Sequence, residues 1–157
     1  MSGIMVGICE ELGWTGFAIP ELRRRYSILT TGLIVGVIWG AWHILSNAVW
    51  AIRTYSGTLS PALFVTLRGF GFLIGQLPPF RILMAWVYDR TGSLLVVMLM
   101  HAGLTASSLI LAPLAELGVS SLIYDLALAV AMWLVAAAVV AANRGQFSRE
   151  ALPRRRA

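Results

Sequence analysis

Two adjacent glutamates, Glu10 and Glu11, lie inside a stretch of residues that are otherwise apolar or small. One ionised side chain at bilayer depth costs roughly 2.5–3.5 kcal/mol on insertion scales, and a second like charge beside it adds repulsion. Such a pair must face protein or water rather than lipid. The rest of the chain is therefore expected to supply groups that compensate for the two carboxylates.

The composition indicates a protein that is embedded in a lipid bilayer. Of the 157 residues, 59% are hydrophobic and 12% are charged, whereas soluble domains carry about 25% charged residues. The net charge of +5 comes from arginines that lie in short clusters between apolar segments. This distribution fits the positive-inside rule and argues against a nucleic-acid partner.

Five apolar segments predict an all-α fold, a polytopic transmembrane helix bundle of about five spans. They run over about residues 3–19, 28–52, 61–87, 94–111 and 122–142. Pro78 and Pro79 predict a kink or break in the third segment. We predict one transmembrane domain over residues 1–143 and a basic tail over residues 144–157.

The arginines flanking these segments predict the orientation in the membrane. Arginines 23–25, Arg81, Arg90 and the five arginines of the tail fall on one side, whereas Arg53 falls on the other. By the positive-inside rule, the C-terminus is then cytoplasmic. The expected location is the cell membrane, with several passes through it.

Few polar side chains lie within the apolar segments, and both histidines of the chain are among them. The set comprises Glu10, Glu11, His43, Arg68, His101 and Thr105. Ionisable residues inside a membrane usually mark a functional site. Trp39 and His43 are four residues apart and share a helix face, as do His101 and Thr105. These pairs predict one common site between helices.

Glycine spacing predicts where helices approach closely. Gly13 and Gly16 on the first segment, and Gly36 and Gly40 on the second, fit the small-xxx-small pattern of membrane helix pairs. The chain contains neither the HExxH pattern of soluble metalloproteases nor the GxSxG pattern of serine hydrolases. The chemistry of those two classes is therefore not expected.

Three stretches, in order and on separate segments, resemble the motifs of the CPBP family. Residues 9–17 resemble its EExxxR motif, residues 39–43 its FxxxH motif and residues 101–105 its HxxxN motif. These are intramembrane proteases similar to CAAX prenyl endopeptidases, and they include bacteriocin-processing and self-immunity relatives. The resemblance covers about residues 7–108. Relatives usually have further spanning helices upstream, so it implies a compact bundle that is short at its N-terminus.

The resemblance implies an endopeptidase that hydrolyses a peptide bond in a membrane-associated protein or peptide. Glu10 would be the general base that activates water, with Glu11 assisting it. His43 would position the water, and His101 with Thr105 would stabilise the oxyanion. The expected mechanism needs no metal; the alternative is zinc held by Glu10, His43 and His101.

Three departures from the motifs bear on this assignment. Thr15 stands where the first motif has arginine, and Arg68 is our hypothesis for the replacement cation. Trp39 stands for phenylalanine beside the site, and Thr105 for asparagine. These changes favour an alternative, a catalytically inactive relative that acts as a membrane peptide-binding or immunity protein. A third hypothesis is a small transporter with a Glu/His proton relay.

Overall fold

A computed structural model describes residues 2–111 and 118–143, and these ranges are helical with short connections and no strand. We number five helices: α1 covers residues 2–23, α2 Ile28–Thr54, α3 Pro61–Thr91, α4 Leu94–Leu111 and α5 Val119–Ala142. The all-α prediction is confirmed. The predicted basic tail, residues 144–157, lies outside the described residues.

Local sequence signals explain where α2 and α3 begin and end. The Ser27 side chain accepts a hydrogen bond from the backbone N–H of Thr30 at the start of α2, and Ser60 does the same for Leu63 at the start of α3. Such caps satisfy N–H groups that have no partner within the helix. Helix α3 ends at Gly92, whose φ of 61° is the left-handed conformation that glycine adopts without strain.

Two helices contain a π-helical stretch, in which each turn holds more residues than in an α-helix. In α1 it covers Trp14–Ala18, and in α3 it covers Gly71–Gln76. The prolines at 78 and 79 follow directly, in the first turn of the α-helical part Leu77–Thr91. The predicted irregularity therefore takes the form of a widened turn ahead of the prolines, because their rings would clash with carbonyls of a regular preceding turn.

The backbones of α2 and α3 touch along a stripe of glycines. A Cβ atom at Gly32 would lie 2.6 Å from the Cα of Ile82, one at Gly36 2.5 Å from that of Pro78, and one at Gly40 2.9 Å from that of Leu73. Side chains larger than hydrogen cannot fit there. The stripe fixes how deep α3 lies against α2.

The glycine predictions succeed on α2 and fail on α1. Gly36 and Gly40 pack against backbone as expected, and Gly32 extends their row. A Cβ at Gly13 would have no neighbour within 4 Å, and one at Gly16 would come no closer than 3.6 Å. The prediction of close helix packing at Gly13 and Gly16 was therefore wrong.

Helix α5 packs on the π-helical stretch of α3. The indole N–H of Trp133 donates to the carbonyl of Ile74 at 2.9 Å, and a Cβ at Gly75 would lie 3.0 Å from the Cβ of Ala129. Altered winding leaves carbonyl groups without their usual helical donor, so Trp133 satisfies one of them.

Within the part of the chain that the structure describes, three helices are long and apolar enough to cross a membrane: they correspond to Ile28–Ser46, Pro61–Thr91 and Val119–Ala142. The apolar part of α4 is shorter, and α1 carries the two glutamates. Only 11% of the apolar stretch of α5 is buried inside the protein, as expected for a helix that contacts lipid. The orientation remains a prediction, since the tail arginines lie outside the described residues.

Candidate active site

Glu11 is the centre of a buried hydrogen-bonded cluster. Its side chain is fully buried, and Arg81 donates to both of its oxygens, from Nη1 to Oε2 at 2.8 Å and from Nη2 to Oε1 at 3.1 Å. The Nδ1 atom of His101 lies 2.8 Å from Oε1, and the Thr15 hydroxyl donates to Oε2. Both carboxylate oxygens are occupied, so the charge of Glu11 is compensated.

Arg81 reaches this cluster from α3. Its side chain is fully buried, and its guanidinium carbon lies 4.1 Å from the centre of the Trp39 ring. That distance is short for a cation–π contact, in which the face of the indole attracts the positive charge. Three helices therefore meet at the guanidinium group: α1 through Glu11, α2 through Trp39, and α3 through the arginine itself.

Glu10 has a different environment from its neighbour. It is half-buried, and its Oε2 accepts a hydrogen bond from the indole N–H of Trp39 at 2.9 Å. Among the described residues, this is the only hydrogen bond that Glu10 makes. One of two adjacent carboxylates is thus fully engaged, whereas the other retains accepting capacity.

The two histidines lie against the edges of Trp39. The centre of its ring system is 5.2 Å from the His43 ring and 5.0 Å from the His101 ring, both in edge-to-face geometry. The Nδ1 atom of His43 lies 2.9 Å from the Trp39 carbonyl. A carbonyl or a carboxylate can only accept, so Nδ1 carries the hydrogen in both histidines.

The ring of the α4 histidine lies beside Gly7 of α1. The Cβ of a larger residue at Gly7 would lie 3.4 Å from carbon atoms of the His101 ring. Gly7 and Glu11 are one turn apart on α1 and so share a face. The imidazole therefore lies next to α1, with its Nδ1 bonded to the carboxylate.

The structure brings most of the predicted site residues together. Glu10, Glu11, His43 and His101 are linked through Trp39 and the hydrogen bonds described above. Thr105 is half-buried one turn beyond His101, and within the described part of the chain it makes no hydrogen bond to this cluster. Its proposed part in the site therefore remains a prediction.

The replacement cation is not Arg68. Its Nε lies 3.7 Å from Oδ2 of Asp125 on α5, and its guanidinium carbon lies 6.0 Å from the centre of the Phe64 ring. The arginine bonded to Glu11 is Arg81, which corrects the sequence hypothesis.

Sequence reasoning misplaced Arg81 and missed Asp125. We counted Arg81 among the arginines outside the membrane, but it is fully buried. The signal was present, because six apolar residues, 82–87, follow it without interruption. Asp125 was equally visible as one acidic residue inside a long apolar helix, a position that normally has a partner.

The zinc alternative stays a prediction. Within residues 2–111 and 118–143, no three His, Cys, Asp or Glu side chains are grouped so that they could hold a metal ion. No step below is therefore routed through a metal.

Comparisons with known proteins agree with the motif resemblance. Residues 1–107 match the family model described as type II CAAX prenyl endopeptidase Rce1-like. A stretch of 40 residues is 38% identical to CAAX prenyl protease 2 of Methanococcus maripaludis, covering 26% of this chain and 15% of that protein. No solved structure gave a significant match.

Proposed function

The chain belongs to the Rce1-like family of type II CAAX prenyl endopeptidases, and on that premise we propose that it is an intramembrane endopeptidase. It hydrolyses a peptide bond in a membrane-associated protein or peptide. The observation that carries the proposal is the unequal environment of the two glutamates. Glu11 is enclosed by Arg81, His101 and Thr15, whereas Glu10 is half-buried with one hydrogen bond.

Unequal environments assign different roles to paired carboxylates. Glu11 cannot approach a substrate, because both of its oxygens are already bonded. Glu10 has an oxygen that can accept a proton from water. We therefore assign Glu10 as the general base and Glu11 as the group that holds His101 in place.

In the proposed reaction, Glu10 removes a proton from water as the water oxygen attacks the peptide carbonyl carbon. A C–O bond forms, and the carbonyl oxygen takes up the negative charge. The C–N bond then breaks as the protonated Glu10 returns its proton to the leaving amine. General acid–base catalysis of this kind contributes about 10²–10⁴-fold.

The rings of both histidines lie close to that of Trp39, the residue that also bonds to Glu10. In both rings, Nδ1 is bonded to an acceptor. We assign His43 to the water and His101 to the developing oxyanion, to which it donates from Nε2 when it carries a second proton. Removing an oxyanion donor typically costs about 10²–10³-fold in rate.

Cleavage of an internally quenched peptide by purified protein in liposomes tests the proposal. A peptide with a C-terminal CAAX sequence, with and without its prenyl group, is the first probe, because the matched relative is named for that substrate class. Glu10→Gln keeps the size and an acceptor for Trp39 but removes the base. We expect it to lower kcat by about 10²–10⁴-fold.

Glu21→Gln is the matched control, since Glu21 is exposed on the same helix and pairs with the exposed Arg24. Its cleavage rate should equal that of the wild type. Full activity in Glu10→Gln would remove Glu10 from the mechanism.

A second candidate is a relative that binds a membrane peptide without cleaving it. The observation that favours it is Thr105, which makes no hydrogen bond to the cluster in the described residues and replaces the asparagine of the motif. The two candidates differ in one measurement. A binding protein would retain the labelled peptide in liposomes without producing fragments, and Glu10→Gln would leave that retention unchanged.

A further inference from the structure

We propose that Arg81 is a positioning residue for this hydrolysis, and that it performs from α3 the task of a cation at position 15 on α1. The inference rests on the proposed function for its activity measurements. The positive charge that holds Glu11 comes from α3, whereas the sequence motif places that charge on α1.

Geometry ties Arg81 to Glu11 and to position 15 at once. Nη1 lies 2.8 Å from Oε2 of Glu11 and 3.4 Å from the hydroxyl oxygen of Thr15, while Nη2 donates to the other carboxylate oxygen. All three side chains are fully buried. The guanidinium group therefore occupies space that borders directly on the Thr15 side chain.

Position 15 is one turn beyond Glu11 and lies on the same face of α1. An arginine there could reach the Glu11 carboxylate from its own helix. It would need the space that the Arg81 guanidinium fills, so one cation excludes the other. Thr15 is short enough to leave that space open, and its hydroxyl adds a further bond to Oε2.

The glycine stripe of α2 brings Arg81 to this depth. A Cβ at Gly36 would lie 2.5 Å from the Cα of Pro78 and 3.2 Å from the Cβ of Arg81. The missing side chain lets α3 press against α2, so that Arg81 passes over the Trp39 ring and reaches α1. A helix held farther out would leave the guanidinium short of the carboxylate.

Arg81 acts through Glu11 and does not touch the reacting atoms. Its charge balances that of Glu11, which accepts the Nδ1 hydrogen of His101 and so sets the orientation of Nε2. Without a cation, Glu11 would be a buried charge beside Glu10, and the two would compete for one proton. Glu10 would then no longer be the distinct base of the pair.

Moving the cation back to α1 tests the inference. Arg81→Ala should lower kcat at least 100-fold. Adding Thr15→Arg to Arg81→Ala should recover at least tenfold of that loss, because the new arginine enters the space that the old one left. Thr15→Arg alone should impair the enzyme, since two guanidinium groups then compete for one site.

Rescue by the double variant supports a cation at the position-15 site and would not follow from a general packing role for Arg81. A double variant that recovers the wild-type unfolding midpoint but not the activity would overturn the inference, and so would full activity in Arg81→Ala. Arg24→Ala, at an exposed arginine directly after α1, is the control and should leave the rate unchanged.

If the double variant does not fold, Arg81→Lys tests the positioning role of Arg81. Lysine keeps the charge but cannot donate to both oxygens in the planar geometry of arginine. We expect kcat to fall about tenfold while KM stays within a factor of two, because substrate does not touch residue 81. An unchanged kcat would overturn the inference.

Failure of the proposed function has a different signature. If the wild type cleaves no peptide, the endopeptidase proposal fails by itself. The unfolding midpoints of the wild type, Arg81→Ala and the double variant still show whether a cation at position 15 replaces Arg81. Recovery of the midpoint supports the shared site, and no recovery overturns it.

Discussion

Helix α3 carries two arginines that pair with acidic residues on other helices, and the two pairs are built differently. Arg81 makes two hydrogen bonds to Glu11, and both side chains are fully buried. Arg68 approaches Asp125 at 3.7 Å, beyond hydrogen-bonding distance, with side chains that are 13% and 11% exposed. The same residue type on one helix thus makes a close, fixed contact in one place and a looser one in the other.

The surroundings of the two acids explain the difference. Glu11 also receives bonds from His101 and Thr15, so its position is fixed from three helices. Within the described residues, Oδ2 of Asp125 has no hydrogen-bond donor. The first pair determines where atoms of the candidate site lie, whereas the second holds α5 against α3.

The largest expected effect is on stability when the first pair is broken. Arg81→Met keeps much of the side-chain length but leaves Glu11 as an uncompensated buried charge, which typically costs about 3–5 kcal/mol. Thermal unfolding in detergent measures it. Arg24→Met, at an exposed arginine paired with Glu21, is the matched control, with an expected change of about 0–1 kcal/mol. Equal shifts for the two variants would contradict the comparison.

A change on α2 should disturb the first pair by displacing α3. Gly36→Ala forces the backbones of α2 and α3 apart, and such overpacking costs about 1–3 kcal/mol. Gly13→Ala adds the same methyl group where no neighbour lies within 4 Å, so it should be neutral or slightly stabilising. Unfolding midpoints and peptide cleavage should fall together in Gly36→Ala only. A cleavage rate that stays at the wild-type value would show that the packing of α2 against α3 does not determine where Arg81 lies.

Breaking the second pair should have a smaller effect. Asp125→Asn removes the acidic charge but keeps the size, and we expect a loss of roughly 1–2 kcal/mol, since no hydrogen bond joins Asp125 to Arg68. The rate of peptide cleavage per folded molecule should be unchanged. A fall in kcat as large as that of Arg81→Lys would mean that the second pair also positions the site.

A substitution at Trp39, the residue whose ring contacts Arg81, should change stability least. Trp39→Phe removes the indole N–H that donates to Glu10 and weakens the cation–π contact with Arg81, at a cost of about 1 kcal/mol. The cleavage rate should nevertheless fall, because Glu10 loses its one hydrogen-bond donor. An unchanged rate would show that Glu10 does not depend on Trp39 for its position.

The helices could be predicted from the sequence because their limits are local. Five apolar segments of sufficient length, serine caps at Ser27 and Ser60, and Gly92 after α3 determine most of the boundaries. One limit was misjudged: the first segment was predicted to end at about residue 19, but α1 continues to Arg23 because Pro20 fits the first turn of the helical stretch Ile19–Arg23.

The site was predictable only in part. The family motifs identify the residues of α1, α2 and α4 that meet around Trp39, because each motif is a contiguous stretch. The choice of Arg81 over Arg68 depends on a contact between residues 70 positions apart. That contact follows from how deep α3 lies against a row of glycines, and neither hydropathy nor spacing along α3 contains this information.

The π-helical stretch Gly71–Gln76 has a consequence for how α3 tolerates changes in length. Successive residues of an α-helix are rotated by about 100° around its axis, so one residue more or fewer turns everything beyond it to another side. Deleting a single residue between Arg68 and Arg81 would leave Arg68 facing α5 but swing Arg81 away from Glu11. The widened turn therefore determines the angle around the α3 axis that separates Arg68 from Arg81. The number of residues in α3 is thus as constrained as their identity.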